Sequence, residues 1–180
     1  MLLGALVTVS EVTVRITEVE AYLGETDPGS HAFRGPGKRN AVMYGKAGHL
    51  YTYFTYGMHV CANVVCSPEG TASAVLLRAG QVVGGIDVAR ARRTTSSTDD
   101  DLARGPARLC VALGITLTDG GSDLGTGRVR LEAPGYTRPF ATSPRTGVSG
   151  EGGSENYPWR FFIPGDATVS PYRASRPKAR

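Results

Sequence analysis

The stretch VTVRITEVEAYL, from Val12 to Leu23, predicts a long β-strand that carries two carboxylates. β-Branched and aromatic residues make up much of it, as is typical of strands. Side chains alternate between the two faces of a strand, so Glu18, Glu20 and Tyr22 share one face. That face either meets water or borders a cleft in which a carboxylate does chemistry. The alternation does not decide which of the two glutamates would have the chemical role.

Similar patterns on both sides of this strand predict an α+β fold. The aromatic-rich stretch His49–Ser67 is broken at Gly57, which is typical of a β-hairpin with its tip at that glycine. Further strands are predicted over Leu2–Val9, Ser73–Ala79, Val129–Glu132 and Trp159–Ile163. Helices are predicted over Gln81–Arg93 and over Asp101–Leu113, the second interrupted at Gly105-Pro106. We expect one α+β domain over residues 1–180, with a curved, mostly antiparallel β-sheet, flanking helices and a protruding hairpin.

Loops are predicted over Gly24–Gly48, Thr94–Asp100 and Pro139–Asn156, followed by a flexible basic tail over Pro171–Arg180. The first loop is long for a compact domain, and such loops are usually functional or disordered. Its basic centre, with Arg34, Lys38 and Arg39, favours a function.

The composition indicates a soluble, intracellular protein with a mild preference for polyanions. The net charge is +4, and only three of the 20 basic residues are lysines. Arginine suits phosphate binding, although a GC-rich genome explains the same bias equally well. No apolar run reaches the roughly 18 residues that a membrane helix needs. The three cysteines lack CxxC spacing and the three histidines lack metal-ligand spacing, which favours buried thiols over a disulfide framework or a metal site.

Several side chains are candidates for chemistry or for nucleic-acid binding. Glu20 would be a general base if burial raised its pKa, and a solvent-facing strand residue otherwise. Arg78 ends an apolar strand, where pairing with a strand glutamate would satisfy both groups. The tyrosines of the hairpin either pack in the sheet or stack on unpaired bases, and Tyr56 at the tip suits a wedge between base pairs. The nucleotide-binding motifs GxGxxG and GxxxxGK[ST] are absent.

Five motifs, in this order, resemble the alkyladenine (3-methyladenine) DNA glycosylase family. They are ITEVEAYLG, SHAFRGPGKRNAVMYG, GHLYTYFTYGMHVCANVVC, AVLLRAG and LARGPARLCVALGI, and the resemblance covers about residues 2–165. Members of this family are DNA repair enzymes that remove alkylated or deaminated purines by hydrolysing the bond between base and sugar. The resemblance implies the same activity on purines such as 3-methyladenine, hypoxanthine or ethenoadenine, each flipped out of the duplex.

The resemblance also implies roles for single residues. Glu20 would be the general base that activates water, and Arg78 would help to hold the carboxylate and the water. Glu18 is left with a solvent-facing or structural role. The hairpin would insert Tyr56 into the minor groove, where it fills the gap left by the flipped nucleotide.

The implied base pocket comprises Tyr22, His31, Tyr53, Asn63 and Thr146. The first three would stack on the flipped purine, and Asn63 would crowd out the 2-amino group of guanine. At Thr146, the main-chain carbonyl would hold the water.

The implied enzyme is monofunctional and needs neither a metal nor another cofactor. Its partner would be double-stranded DNA that contains damaged purines, and we expect a monomer in the bacterial cytoplasm, associated with the nucleoid and not with a membrane. The alternative is a non-catalytic module of the same fold that binds lesion DNA. The joint presence of Glu20 and Arg78 argues against that alternative.

Overall fold

The computed structural model of the chain describes residues 2–55, 57–135 and 137–175, and at its centre lies one curled antiparallel β-sheet. The strands are β1 (Leu6–Val9), β2 (Val12–Tyr22), β3 (Leu50–Thr55), β4 (His59–Val65), β5 (Ala74–Gly84), β6 (Val129–Glu132), β7 (Ala141–Ser143) and β8 (Arg160–Phe162). Their order is β3-β4-β5-β2-β1-β6, with β8 paired to β2 and β7 paired to β8. Two helices accompany the sheet, α1 (Ile86–Arg92) and α2 (Pro106–Leu113). The chain is an α+β single domain, as the sequence predicts.

The strand β2 holds the sheet together because it is paired along both of its edges. One edge pairs with β5, while the other pairs first with β1 and then, over Glu18–Glu20, with β8. All five residues from Ile16 to Glu20 are buried, so this part of the strand is covered on both faces. The possibility that its glutamates meet water is therefore wrong.

A double irregularity in the ladder between β2 and β5 lies beside these glutamates. The register passes from Ile16–Gly80 to Glu18–Ala79 and then to Val19–Leu77, so that Thr17 and Arg78 are skipped. Such bulges increase the local twist and re-aim side chains, and they are common next to active sites. The irregularity places the Arg78 side chain against the carboxylates of β2.

The helix predicted over Gln81–Arg93 is wrong in its first turn, because Gln81–Gly84 continues β5. Val82 is buried and Val83 is 50 % exposed, the alternation of a strand. The long β2 supplies the pairing partners, and the change to helix takes place at Gly85. That residue has φ +65°, and a Cβ there would overlap the carbonyl of Glu11, so only glycine fits.

Other predicted boundaries also differ from the structure. Leu2–Ala5 forms a turn before β1, and Gly105-Pro106 begins α2 instead of interrupting a longer helix. Proline suits the first helical position because the N–H that it lacks would have no partner there. The predicted loop Pro139–Asn156 contains β7 and a 3-10 turn over Glu151–Gly153. The hairpin is confirmed as β3 and β4.

The main core lies between the sheet and the two helices. A second, smaller apolar cluster packs Ala32 and Met43, from the loop after β2, against Tyr51, Val65, Ala72 and Ala74. This cluster fixes the long loop over Gly24–Gly48 against the sheet, so the loop has a defined path. Neither helix of the described residues has the length and apolar character that crossing a membrane requires.

The cysteines differ in burial. Cys61 and Cys110 are buried and free, as predicted, whereas Cys66 is exposed just beyond β4. The prediction of a buried thiol is wrong at Cys66, because β4 ends at Val65 and leaves Cys66 outside the sheet.

Candidate active site

Glu20 is a buried carboxylate on β2, and both of its oxygens accept hydrogen bonds. Oε1 accepts one from the Thr146 main-chain N–H at 2.6 Å, and Oε2 accepts one from the Tyr22 hydroxyl at 3.0 Å. The Arg78 Nε lies 3.5 Å from Oε1. Burial raises the pKa of the Glu20 carboxyl above its ordinary value of 4.5, although Arg78 and the two hydrogen bonds act in the opposite direction. The carboxylate is therefore fixed in orientation and disposed to accept a proton.

Glu18 is the partner of two buried arginines. Its Oε1 lies 2.8 Å from the Arg78 Nε and 2.5 Å from the Arg160 Nε. Its Oε2 accepts a hydrogen bond from the Ser170 main-chain N–H at 2.7 Å. Two guanidinium groups thus face the two carboxylates of β2, and this buried cluster has no net charge when both acids are ionised. Glu18 has a structural role, and the predicted pairing of Arg78 with strand glutamates is present.

A second buried ion pair, which the sequence indicates only weakly, lies next to the Tyr22 ring. Arg145 is fully buried and donates two hydrogen bonds of 2.6 Å to the two carboxylate oxygens of Asp27. It also donates one of 2.6 Å to the Gly152 carbonyl, and its guanidinium carbon lies 4.5 Å from the centre of the Tyr22 ring. Arg145 directly precedes Thr146, so this pair fixes both the Tyr22 ring and the N–H that binds Glu20.

The sequence does contain weak signs of this pair. Asp27 opens the turn signal Asp27-Pro28-Gly29, and Arg145 directly precedes Thr146, a residue that the sequence predicts for the site. The two residues are 118 positions apart, and only the folded chain brings them together.

A cluster of aromatic rings, His31, Tyr51 and Tyr53, forms a second group of site residues, the aromatic wall. The His31 ring meets the Tyr53 ring edge-on, with 4.6 Å between the ring centres, and the Tyr51 and Tyr53 rings lie 5.7 Å apart. The His31 Nδ1 is 3.0 Å from the Tyr51 hydroxyl. Burial, together with the nearby Arg39, lowers the pKa of His31, and burial raises the pKa of Tyr53. The wall is therefore neutral near pH 7.

Asn63 and Cys61, both on β4, lie beside this wall. The Asn63 carboxamide nitrogen donates to the Tyr51 carbonyl at 3.1 Å, which leaves the amide oxygen as the free end of a buried side chain. The Cys61 thiol contacts the Tyr53 hydroxyl, and burial raises the pKa of the thiol. Burial keeps this thiol protonated and unreactive.

Seven of the predicted site residues line one cleft of about 660 Å³: Glu20, Tyr22, His31, Tyr53, Asn63, Arg78 and Thr146. This volume is typical of pockets for small ligands. The eighth predicted site residue, Tyr56, lies outside the described residues. Within the described ranges, no group of three or more His, Cys, Asp or Glu side chains is arranged to hold a metal ion.

The arrangement is suited to hydrolysis next to a flat aromatic ligand. A neutral wall of rings offers stacking surfaces, and a buried carboxylate with a raised pKa lines the same cleft. A carboxylate so placed can take a proton from a water molecule. Arg78 limits the cost of keeping that carboxylate charged.

The chain is similar to a known protein family and to several bacterial proteins. A family model described as "Methylpurine-DNA glycosylase" matches residues 1–167. Three bacterial relatives bear the name "Putative 3-methyladenine DNA glycosylase". The chain is 60 % identical to the protein of Leifsonia xyli subsp. xyli, over 90 % of this chain and 78 % of that one. It is 51 % identical to the protein of Streptomyces avermitilis, over 94 % and 81 % of the two chains, and 51 % identical to that of Nocardia farcinica, over 97 % and 85 %.

Proposed function

The chain belongs to the methylpurine-DNA glycosylase family and is a DNA glycosylase, and on this premise we propose that Glu20 activates the water that releases damaged purines. The substrates are alkylated or deaminated purines in double-stranded DNA. The observation that supports this best is the buried, oriented carboxylate of Glu20 in a cleft that aromatic rings also line.

Base binding relies on the ring cluster. A purine inside the duplex does not expose its sugar carbon to the enzyme, so the nucleotide leaves the stack at a cost of a few kcal/mol, least for damaged pairs. Stacking on Tyr22, His31 and Tyr53 returns about 1–3 kcal/mol per base. An alkylated purine carries positive charge and stacks well on electron-rich rings. A neutral His31 does not repel that charge.

Bond cleavage needs one base and one water. Glu20 takes a proton from the water, whose oxygen forms a bond to the sugar carbon, while the purine leaves with the electron pair of the glycosidic bond. A cationic purine leaves as a neutral molecule, which makes it the better leaving group. No lysine lines the cleft among the described residues, so the proposed enzyme is monofunctional and leaves an abasic site.

Replacing the carboxylate tests this mechanism. We expect Glu20→Gln to lose base release by a factor of about 100 or more, the usual contribution of general-base catalysis, while it still binds lesion DNA. The measurement is abasic-site formation on an oligonucleotide with a single hypoxanthine or ethenoadenine. Glu132→Gln, which changes an exposed carboxylate on the edge strand β6, serves as the control and should keep full activity. Full activity of Glu20→Gln would refute the proposed role.

The same assay distinguishes the proposed enzyme from the alternative, a non-catalytic module that binds lesion DNA. A non-catalytic module would bind the lesion duplex, and the wild-type protein would release no base from any damaged purine. The ion pair between Arg78 and the two strand glutamates favours the enzyme, because it keeps a charged carboxylate inside the cleft.

The hairpin is proposed to insert Tyr56 into the gap that the flipped nucleotide leaves. Thr55 and His59 pair at the end of the β3–β4 ladder, and Tyr56, outside the described residues, follows Thr55 in the sequence. We expect Tyr56→Ala to weaken binding to lesion duplex by about tenfold, the loss of roughly one stacked base. Affinities are measured at matched salt concentration. Val83→Ala, which changes an exposed apolar residue at the end of β5, is the control, and equal affinities of both variants and wild type would contradict the wedge.

A further inference from the structure

The segment 168–175 follows the last strand and returns to the cleft along a path fixed by several contacts. The Thr168 hydroxyl lies 2.9 Å from that of Thr17 on β2, and the Val169 carbonyl accepts a hydrogen bond from Arg104 at 2.9 Å. Ser170 donates to Glu18 with both its main-chain N–H and its hydroxyl, at 2.7 and 3.0 Å. The segment is thus attached to the same carboxylate that holds Arg78.

Beyond Ser170 the segment forms part of the cleft itself. The Arg173 carbonyl accepts a hydrogen bond of 2.9 Å from the Gly147 N–H, one residue after the Thr146 that binds Glu20. Residues 173–175 line the cleft together with Glu20 and the aromatic wall. The family model matches residues 1–167, so this wall lies outside the matched region. The predicted flexibility of the tail beyond these residues stays a prediction, because residues 176–180 are outside the described part of the chain.

Two arginines, Arg78 and Arg173, are among the described residues that line the cleft. Arg78 is buried and paired with Glu18 and Glu20, and the buried cluster around them is neutral. Arg173 is exposed, and among the described residues its guanidinium has no ion-pair partner. An exposed arginine with free N–H groups beside a cleft for a nucleotide matches the geometry of a phosphate oxygen pair.

We propose that Arg173 binds a phosphate of the DNA backbone next to the flipped nucleotide, and that the Glu18–Ser170 contacts hold it in place. The inference rests on the proposed function, since it presumes a nucleotide in the cleft. The contact between Arg173 and the phosphate fixes the sugar of that nucleotide near Glu20. Arg173 also offsets the repulsion between the Glu20 carboxylate and the phosphate. Arg173 is therefore a binding and positioning residue and takes no part in bond cleavage.

The test is the salt dependence of binding, measured with lesion duplex and the Arg173→Ala variant. Loss of one phosphate contact reduces the slope of log affinity against log salt by about 0.9 and weakens binding by about tenfold at low salt. Arg173→Lys, which keeps the charge, should retain most of the slope. Arg130→Ala is the control. It removes an exposed arginine from the edge strand β6, which does not line the cleft, so this variant should keep the wild-type salt slope.

A second measurement identifies the phosphate. Single neutral methylphosphonates are placed on either side of the lesion, and one of them should weaken binding by wild type but not by Arg173→Ala. The inference is overturned if Arg173→Ala keeps the wild-type salt slope and shows the same methylphosphonate losses. A wild-type protein that neither binds nor processes lesion duplex would instead refute the proposed function, so the two failures are distinguishable.

Discussion

At the scale of single residues, Glu20 shows how burial gives a side chain its chemistry at a cost in stability. Because burial raises its pKa, the folded protein binds the Glu20 proton more tightly than the unfolded chain does. The stabilising contribution of this group is complete below the unfolded pKa and is lost as the pH rises through the folded pKa. The charged form that the mechanism needs is therefore the less stable one.

A comparison of wild type with Glu20→Gln tests this sign. Glutamine stays neutral at every pH, and the other titrating groups cancel in the difference between the two proteins. We expect the free energy of unfolding of Glu20→Gln, relative to wild type, to rise as the pH increases above 4.5, the ordinary pKa of a glutamate carboxyl. Urea denaturation at several pH values measures it, and base release by wild type should fall over the same range as the pH is lowered. A difference that stays constant with pH would contradict a raised pKa.

Sequence patterns indicated the residues at the surface of the site better than those behind it. Glu20, Tyr22 and Tyr53 stand in motifs that could be recognised from their order along the chain. The Arg145–Asp27 pair and the link from Glu18 to Ser170 join residues 118 and 152 positions apart. Pairings at such distances are set by the fold, and no spacing rule in the sequence specifies them.

At the scale of elements, the loop that carries Thr146 depends on a close approach of two glycines. A Cβ on Gly152 would lie 2.7 Å from the Gly29 Cα and would overlap its main-chain nitrogen. The Gly152 carbonyl receives the Arg145 guanidinium, and the Gly29 N–H donates to Asp27 at 2.8 Å. Both glycines therefore hold the buried pair, which in turn positions the loop.

We expect Gly152→Ala to lower the free energy of unfolding by about 1–3 kcal/mol, the usual cost of overpacking. Base release should fall as well, because the displaced loop carries the Thr146 N–H away from Glu20. Gly37→Ala is the matched control. Its Cβ would meet nothing closer than the Asn40 Oδ1 at 3.8 Å, so its stability should change by less than about 0.5 kcal/mol. Denaturation and base release are measured on both variants, and equal stabilities would contradict the packing argument.

Strands were more predictable than helices for a physical reason. β2, β3 and β4 carry enough β-branched and aromatic residues to indicate strands locally. Gln81–Gly84 has an ambiguous apolar spacing, and the long partner strand β2 decided in favour of β-structure there. Long-range pairing of this kind overrides a weak local pattern.

At the scale of the whole molecule, the last described segment of the chain is bonded to β2, a strand near the start of the chain. Thr168 and Ser170 form hydrogen bonds to β2, and β8 pairs with the same strand. The helix α2 packs on the same sheet, and the main core is one cluster. We therefore expect a single cooperative unfolding transition. Fluorescence of Trp159, the only tryptophan, should report the same midpoint as far-UV circular dichroism. Two separated midpoints would show that the chain is divided into independently folding parts.

The burial pattern of the cysteines has a practical consequence for labelling chemistry. Of the three thiols only Cys66 is exposed, so a maleimide dye would attach there in the unmodified protein, without removal of Cys61 or Cys110. The Cys66 Sγ itself is partly buried where it donates to the Val64 carbonyl at 3.2 Å, and this raises the pKa of the thiol, so coupling needs mildly alkaline buffer. Cys66 lies at the opposite end of β4 from the hairpin tip, roughly 20 Å along the strand. A fluorophore at that position would follow single molecules along DNA while leaving the tip free.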